Sequence, residues 1–84
     1  MLKIKLEIVT PEKLWVKEEV EAVTLPGASG EMEILPMHTT LLAELGSGVV
    51  SYQSGGQLKT LAVQGGVIEV NRDQVTVLAD SVTP

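Results

Sequence analysis

The sequence predicts an all-β fold, a small β-sandwich or barrel. Three observations lead there. The first residues alternate strictly between apolar and polar. Beyond Gly48, short apolar segments alternate with turn-forming dipeptides at the spacing of antiparallel hairpins. The 8 Gly and 4 Pro sit almost entirely in the breaks and hardly ever inside the apolar segments, as small β-sandwiches and barrels require.

Leu2, Ile4, Leu6 and Ile8 fall on one side of the opening segment and Lys3, Lys5 and Glu7 on the other, the period of two of a half-buried strand. Thr10-Pro11-Glu12 breaks it. Thr at an N-cap and Pro at a first helical position are compatible with a helix through Leu14, Trp15 and Glu18. Against that, Val16, Val20, Val23 and Leu25 are mostly β-branched and hold no steady helical face, which favours a turn followed by strands. Pro26-Gly27-Ala28-Ser29-Gly30 is a turn-rich break, and residues 31–35 form a short strand that Pro36 stops. Residues 39–45 before Gly46 suit either one helical turn with a Gly cap or a buried strand, and strand is preferred. Strands then follow at 49–53, 58–63, 67–70 and 75–78. Ser54-Gly55-Gly56, Gln64-Gly65-Gly66 and Asn71-Arg72-Asp73 supply the reversals, and residues 81–84 follow the last strand.

A chain of 84 residues fits one domain, 1–84, and 44% hydrophobic residues are ample for one core. One Trp, one Tyr and no Phe make that core aliphatic. The absence of Cys excludes disulfides, thiolate chemistry and Cys-based zinc sites, and one His does not furnish an imidazole metal site. A net charge of −5 opposes nucleic acid and anionic lipid, so a partner surface is neutral or basic. No apolar run approaches the roughly 20 residues of a spanning helix, and the alternating N-terminus is unlike a signal peptide, so no direct membrane insertion is expected.

No phosphate-binding loop and no G-x-G-x-x-G is present, and the glycine pairs read as turns. His38 is the sole candidate base for a Ser or Thr nucleophile, and the sequence places no acid to orient it, so it reads as a surface or capping residue. Glu18-Glu19, Glu31 with Glu33, and Asp73 with Asp80 lack the spacing of a calcium loop. Glu31 and Glu33 fall on one strand face with Met32 and Ile34 opposite, and an exposed acidic loop there is also a possible contact surface. Trp15 reads as a packing residue. Neither a catalytic residue nor a cofactor is expected, which points to a binding module.

The run from Gly30 through Glu31, Ile34, Pro36 and His38 to Leu41-Leu42 resembles the pattern G-E-x-x-[IV]-x-P-x-H-x-P-L-L of the ε subunit of F-type ATP synthases, called δ in mitochondria. Thr10-Pro11-Glu12, Gly48-Val49-Val50, Gly65-Gly66-Val67-Ile68-Glu69-Val70 and the closing Val75 to Asp80 segment follow in the family's order, over nearly the whole chain. Met37 stands where Gly is usual and Thr40 where Pro is usual. The family's C-terminal two-helix hairpin has no counterpart before Pro84, so the ATP-hydrolysis brake and ATP sensing tied to it are not expected.

The resemblance implies a flattened sandwich of about ten short, mostly antiparallel strands at the foot of a rotating central stalk. It implies a non-catalytic rotor component of a proton-translocating synthase, coupling a membrane c-ring to the γ subunit. Carried over by position, Thr10, His38 and Ala43 fall on the γ-facing side and Glu31 in the loop directed at the c-ring. The implied location is the periphery of a membrane, on the cytoplasmic face of a bacterial inner membrane or on a thylakoid or similar energy-coupling membrane. The competing expectation, drawn from the residues alone, is an independent small β-barrel that binds a small ligand near His38 or Glu31.

Overall fold

A computed structural model describes residues 2–84, the side chain of His38 excepted. Its chain is all β: β1 (Ile4–Val9), β2 (Leu14–Val20), β3 (Ala22–Gly27), β4 (Gly30–Ile34), β5 (His38–Ser54), β6 (Gln57–Arg72) and β7 (Gln74–Thr83). The seven strands lie in the order β2-β1-β7-β6-β5-β3-β4, antiparallel except where β1 pairs with β7. Both ambiguous stretches are strand. The Thr10-Pro11-Glu12 break is followed by β2 and residues 39–45 belong to β5, so neither helical alternative stands.

The strand count of about ten is corrected to seven. Segments 39–45 and 49–53 are one strand, β5, and 58–63 and 67–70 are one strand, β6. Gln64-Gly65-Gly66 is therefore not a reversal. The register is kept across it, with Leu45 opposite Gly66 and Ser47 opposite Gln64 on one side. On the other side Gly66 faces Ala79 and Gln64 faces Ser81. β7 likewise runs on to Thr83.

What happens at these glycines is a change of inward-facing set. Before Gly46, β5 turns odd-numbered residues inward and buries Leu45; after Gly48 it turns even ones inward and buries Val50 and Tyr52. β6 switches in the same way, from Val63 to Ile68 and Val70, and β7 from Val75, Val77 and Ala79 to the half-buried Val82. The three strands shift alternation together, so their mutual register survives while each is kinked, as at a β-bulge. β3 does not switch. Consequently β5 spends six steps, Leu45 to Ser51, where β3 spends three, Gly27 to Thr24.

Across this line the sheet folds over on itself. A shortest extent of 20 Å accommodates two layers spaced about 10 Å apart. Seventeen buried hydrophobics fill the space between, all aliphatic except Tyr52. Close approach makes the fold line possible: a Cβ on Gly66 would overlap the Leu78 carbonyl oxygen and sit 3.0 Å from Ala79 Cα.

Folding over brings the edge strand β2 to the β5–β6 hairpin, where a clasp holds them. Ser54 Oγ donates to Glu18 at 2.8 Å, Lys59 Nζ reaches the same carboxylate at 3.1 Å, and Glu21 accepts the Gly55 and Gly56 amides. Glu21 N–H donates to the Gln53 carbonyl beside it. These contacts, the Ser54 hydroxyl first and Lys59 second, hold the Glu18 carboxyl below its ordinary range.

Two outcomes follow for stability. Gly66→Ala should cost at least about 3 kcal/mol in urea unfolding followed by circular dichroism, whereas Gly55→Ala, with open space around it, should cost about 1 kcal/mol. Equal losses would remove the close approach as the fold line's determinant. Glu18→Gln should cost about 0.5 kcal/mol at neutral pH, as half-exposed pairs do. Because folding lowers the Glu18 pKa, its contribution is complete above the ordinary carboxylate range and is lost as pH falls through the lowered value, so wild type and variant should converge on acidification.

Candidate functional site

Thr10 follows β1 and is 5% exposed, its polar groups engaged within the chain. Its hydroxyl accepts the Trp15 indole N–H at 3.0 Å and donates to the Lys13 carbonyl at 3.4 Å, while its amide donates to the same carbonyl. Lys13 Nζ lies 4.0 Å from the Trp15 ring centre, a cation–π contact that completes the loop. These contacts tie the turn between β1 and β2 together. Thr10 thus lies buried beneath the surface beside it.

That surface is a row of apolar side chains in register on the outer face of the sheet. Leu14 of β2 faces Val9 of β1, Val9 faces Leu78 of β7, and Leu78 faces Val67 of β6. Leu14, Leu78 and Val67 are 49%, 50% and 39% exposed, and Leu42 of β5, one row away, is 72% exposed. A slip of pairing between Ile8 and Val9 turns Leu14 outward although Val16 and Val20 of the same strand point in. The row continues onto Glu44, opposite Val67. A shallow depression beside it is lined by Thr10, Pro11, Val67, Leu78 and Asp80.

Sequence reasoning missed the row. The available signal was an apolar residue at a polar phase: Val9 follows Lys3, Lys5 and Glu7, and Leu78 follows Thr76, on faces that alternation assigns to solvent.

Glu31 and Ala43 come together. Ala43, half-buried on β5, lines a second open depression with Glu31, Met32, Glu44 and the turn at Ala28 and Ser29. The Ala28 amide donates to the Glu44 carbonyl, tying that turn to β5. Because Gly27 pairs with Leu45 and Gly66 with Leu45, this depression lies on the same fold line as Thr10's neighbours. Glu31 and Glu33 are exposed while Ile34 is buried and Met32 half-buried, as alternation predicts.

His38 lies apart, where β5 starts opposite Arg72 of β6, and its side chain is outside the described residues. Met37 and Arg72 both take left-handed backbone angles, φ 65° and 58°, which favour glycine. A corner with Met37, Thr39, Thr40, Arg72 and Asp73 results, interrupted by an irregular register between His38 and Leu41. Among the described residues no group of three or more His, Cys, Asp or Glu side chains could hold a metal ion. No helix among them is long and apolar enough to cross a membrane.

Comparison with known proteins gives a consistent picture. Residues 3–84 match the family described as ATP synthase, Delta/Epsilon chain, beta-sandwich domain. The chain is similar to the ATP synthase epsilon chain of Syntrophobacter fumaroxidans, 49% identical over 77 residues, which are 92% of this chain and 58% of that one. It is 47% identical over 81 residues to the epsilon chain of Dehalococcoides mccartyi, covering 96% of this chain and 58% of the relative. For the epsilon chain of Desulfitobacterium hafniense the identity is 43% over 79 residues, 94% of this chain and 60% of the relative. The chain therefore spans about 60% of the length of the curated relatives it matches. In fold it is similar to a chain of the Euglena gracilis mitochondrial ATP synthase cryo-EM structure of OSCP/F1/c-ring, with TM-score 0.90 and 24% identity over 100% of this chain and 54% of that one. A chain of the Tetrahymena thermophila mitochondrial ATP synthase central stalk/c-ring superposes with TM-score 0.81 at 15% identity, covering 96% of this chain and 66% of the other.

The left-handed backbone at Met37 sets an outcome. Its side chain is 69% exposed, so Met37→Gly loses little packing and relieves the angle, and should stabilise the protein by about 0.5–1 kcal/mol in urea unfolding. Destabilisation would show that Met37 packs there for a reason other than its backbone.

Proposed function

This chain belongs to the ATP synthase delta/epsilon family through its beta-sandwich domain, and on that premise we propose that residues 1–84 act as a non-catalytic rotor domain, coupling rotation of a membrane c-ring to the γ subunit. The observation that carries the reading is the match over residues 3–84 to the family, joined to an exposed apolar row that crosses four strands. Contiguous exposed apolar rows of this kind mark protein interaction sites, unlike single exposed aliphatics. The γ subunit covers the row Leu14–Val9–Leu78–Val67 next to Thr10. Glu31, at the mouth of the neighbouring depression, is directed at the c-ring, while Ala43 and His38, the first residue of β5, extend the γ contact.

Torque in this role passes through the domain mechanically. A folded-over sheet whose layers share continuous strands, with a close-packed aliphatic core, deforms little under load. No bond is made or broken, and no cofactor takes part. The domain reaches the cytoplasmic face of a bacterial inner membrane, or a comparable energy-coupling membrane, only through its partners.

The test is assembly. The chain, mixed with the γ subunit, should co-elute as a stable complex, and addition of detergent-solubilised c-ring should give a ternary one. Leu78→Ser should weaken γ association by about tenfold or more, the range of a central apolar contact. Glu31→Lys should weaken c-ring association and leave γ association intact. A chain that stays monomeric with γ at saturating concentration is not a rotor component.

A further inference from the structure

The row is not the whole of that face. Where β5 and β6 run beside each other, Glu44 lies opposite Val67 and Leu42 opposite Glu69. The four exposed side chains make a two-by-two block, acids on one diagonal and aliphatics on the other. Opposite neighbours in such a block are about 5 Å apart and successive ones on a strand about 7 Å, which places the two carboxylates roughly 8 Å from each other.

These acids differ in register from Glu7 and Glu19 of the β1–β2 ladder, which have a Lys opposite them though, among the described residues, no ion pair is formed there. Glu7 faces Lys17 and Glu19 faces Lys5 across the β1–β2 ladder. Among the described residues, the Glu44 and Glu69 side chains have no ion-pair or hydrogen-bond partner, and no Lys or Arg lies opposite either on β5 or β6. Past the fold line the outward positions of the same two strands carry no charge at all, as at Val49, Ser51, Thr60 and Ala62. Apart from Lys59 in the Glu18 clasp and Arg72 at the terminal turn, the charge on β5 and β6 is Glu44 and Glu69, both within the apolar face.

Resting on the reading that a subunit covers this row, we infer that the covering surface is basic as well as apolar, with Lys or Arg side chains seated over Glu44 and Glu69 between the aliphatic contacts. Burying Leu42, Val67 and Leu78 takes both carboxylates out of water, and an unpaired carboxylate resists that strongly. A neutral or acidic surface that fits the apolar row is therefore rejected. A basic one is drawn in at long range, so the two acids act on partner choice and on the rate of encounter, and the aliphatics on the lifetime of the complex.

Binding kinetics with the purified γ subunit, at low and at high NaCl, test this. Wild type should associate more slowly as salt rises. The Glu44→Gln/Glu69→Gln double variant should bind about tenfold more weakly at low salt, lose most of the salt dependence and show the deficit mainly in association rate, while Glu44→Lys/Glu69→Lys should lose more. Leu78→Ser should act chiefly on dissociation. A double variant with wild-type affinity and salt dependence overturns the inference and leaves the docking reading standing. Tight γ binding that is indifferent to Leu78→Ser overturns the placement on this face, and with it the inference. No binding by wild type overturns the docking reading itself.

Discussion

The arrangement depends on one steric constraint, the absence of a side chain where β6 crosses closest to β7. A Cβ on Gly66 has no room against the Leu78 carbonyl, and with that atom absent the two strands stay paired through a kink that would otherwise part them. Because β5, β6 and β7 kink on one line, the ladder is preserved and the sheet folds over as a unit. The core closes because of it. So does the free edge: β2 meets the β5–β6 hairpin only after the fold, and the Glu18 and Glu21 contacts hold a junction the glycines have already formed.

Much of this architecture is legible in the sequence, and the parts that are not share a physical reason. The alternation of β1 and the turns at Ser54-Gly55-Gly56 and Asn71-Arg72-Asp73 read correctly because they are local. Gln64-Gly65-Gly66 has the same composition as a reversal but is a kink, and the difference lies in partner residues 13 to 21 positions away that hold its register. Alternation describes one strand at a time and is silent on which neighbour it meets. The parallel pairing of β1 with β7 is hidden for the same reason.

The surface follows the same division. Thr10, a proposed contact residue by its position in the family pattern, has its hydroxyl engaged by Trp15 and Lys13 beneath the exposed row. Val9, Val67 and Leu78 belong to that row. Each looks like ordinary core material in the sequence, and only the cross-strand pairing gathers them into one row. Glu31 and Ala43, 12 positions apart in the chain, share a depression because the turn at Ala28 is tied to Glu44.

Trp15 has a consequence of its own. It is the sole tryptophan, its indole N–H is fixed to Thr10, and its neighbour Leu14 stands at one end of the exposed row. An indole held in one orientation, half in water and half against the core, emits light whose colour registers any change in hydration around it. The domain therefore carries a native optical gauge at the rim of its exposed apolar row, and occupancy of the proposed docking face can be followed without attaching a dye.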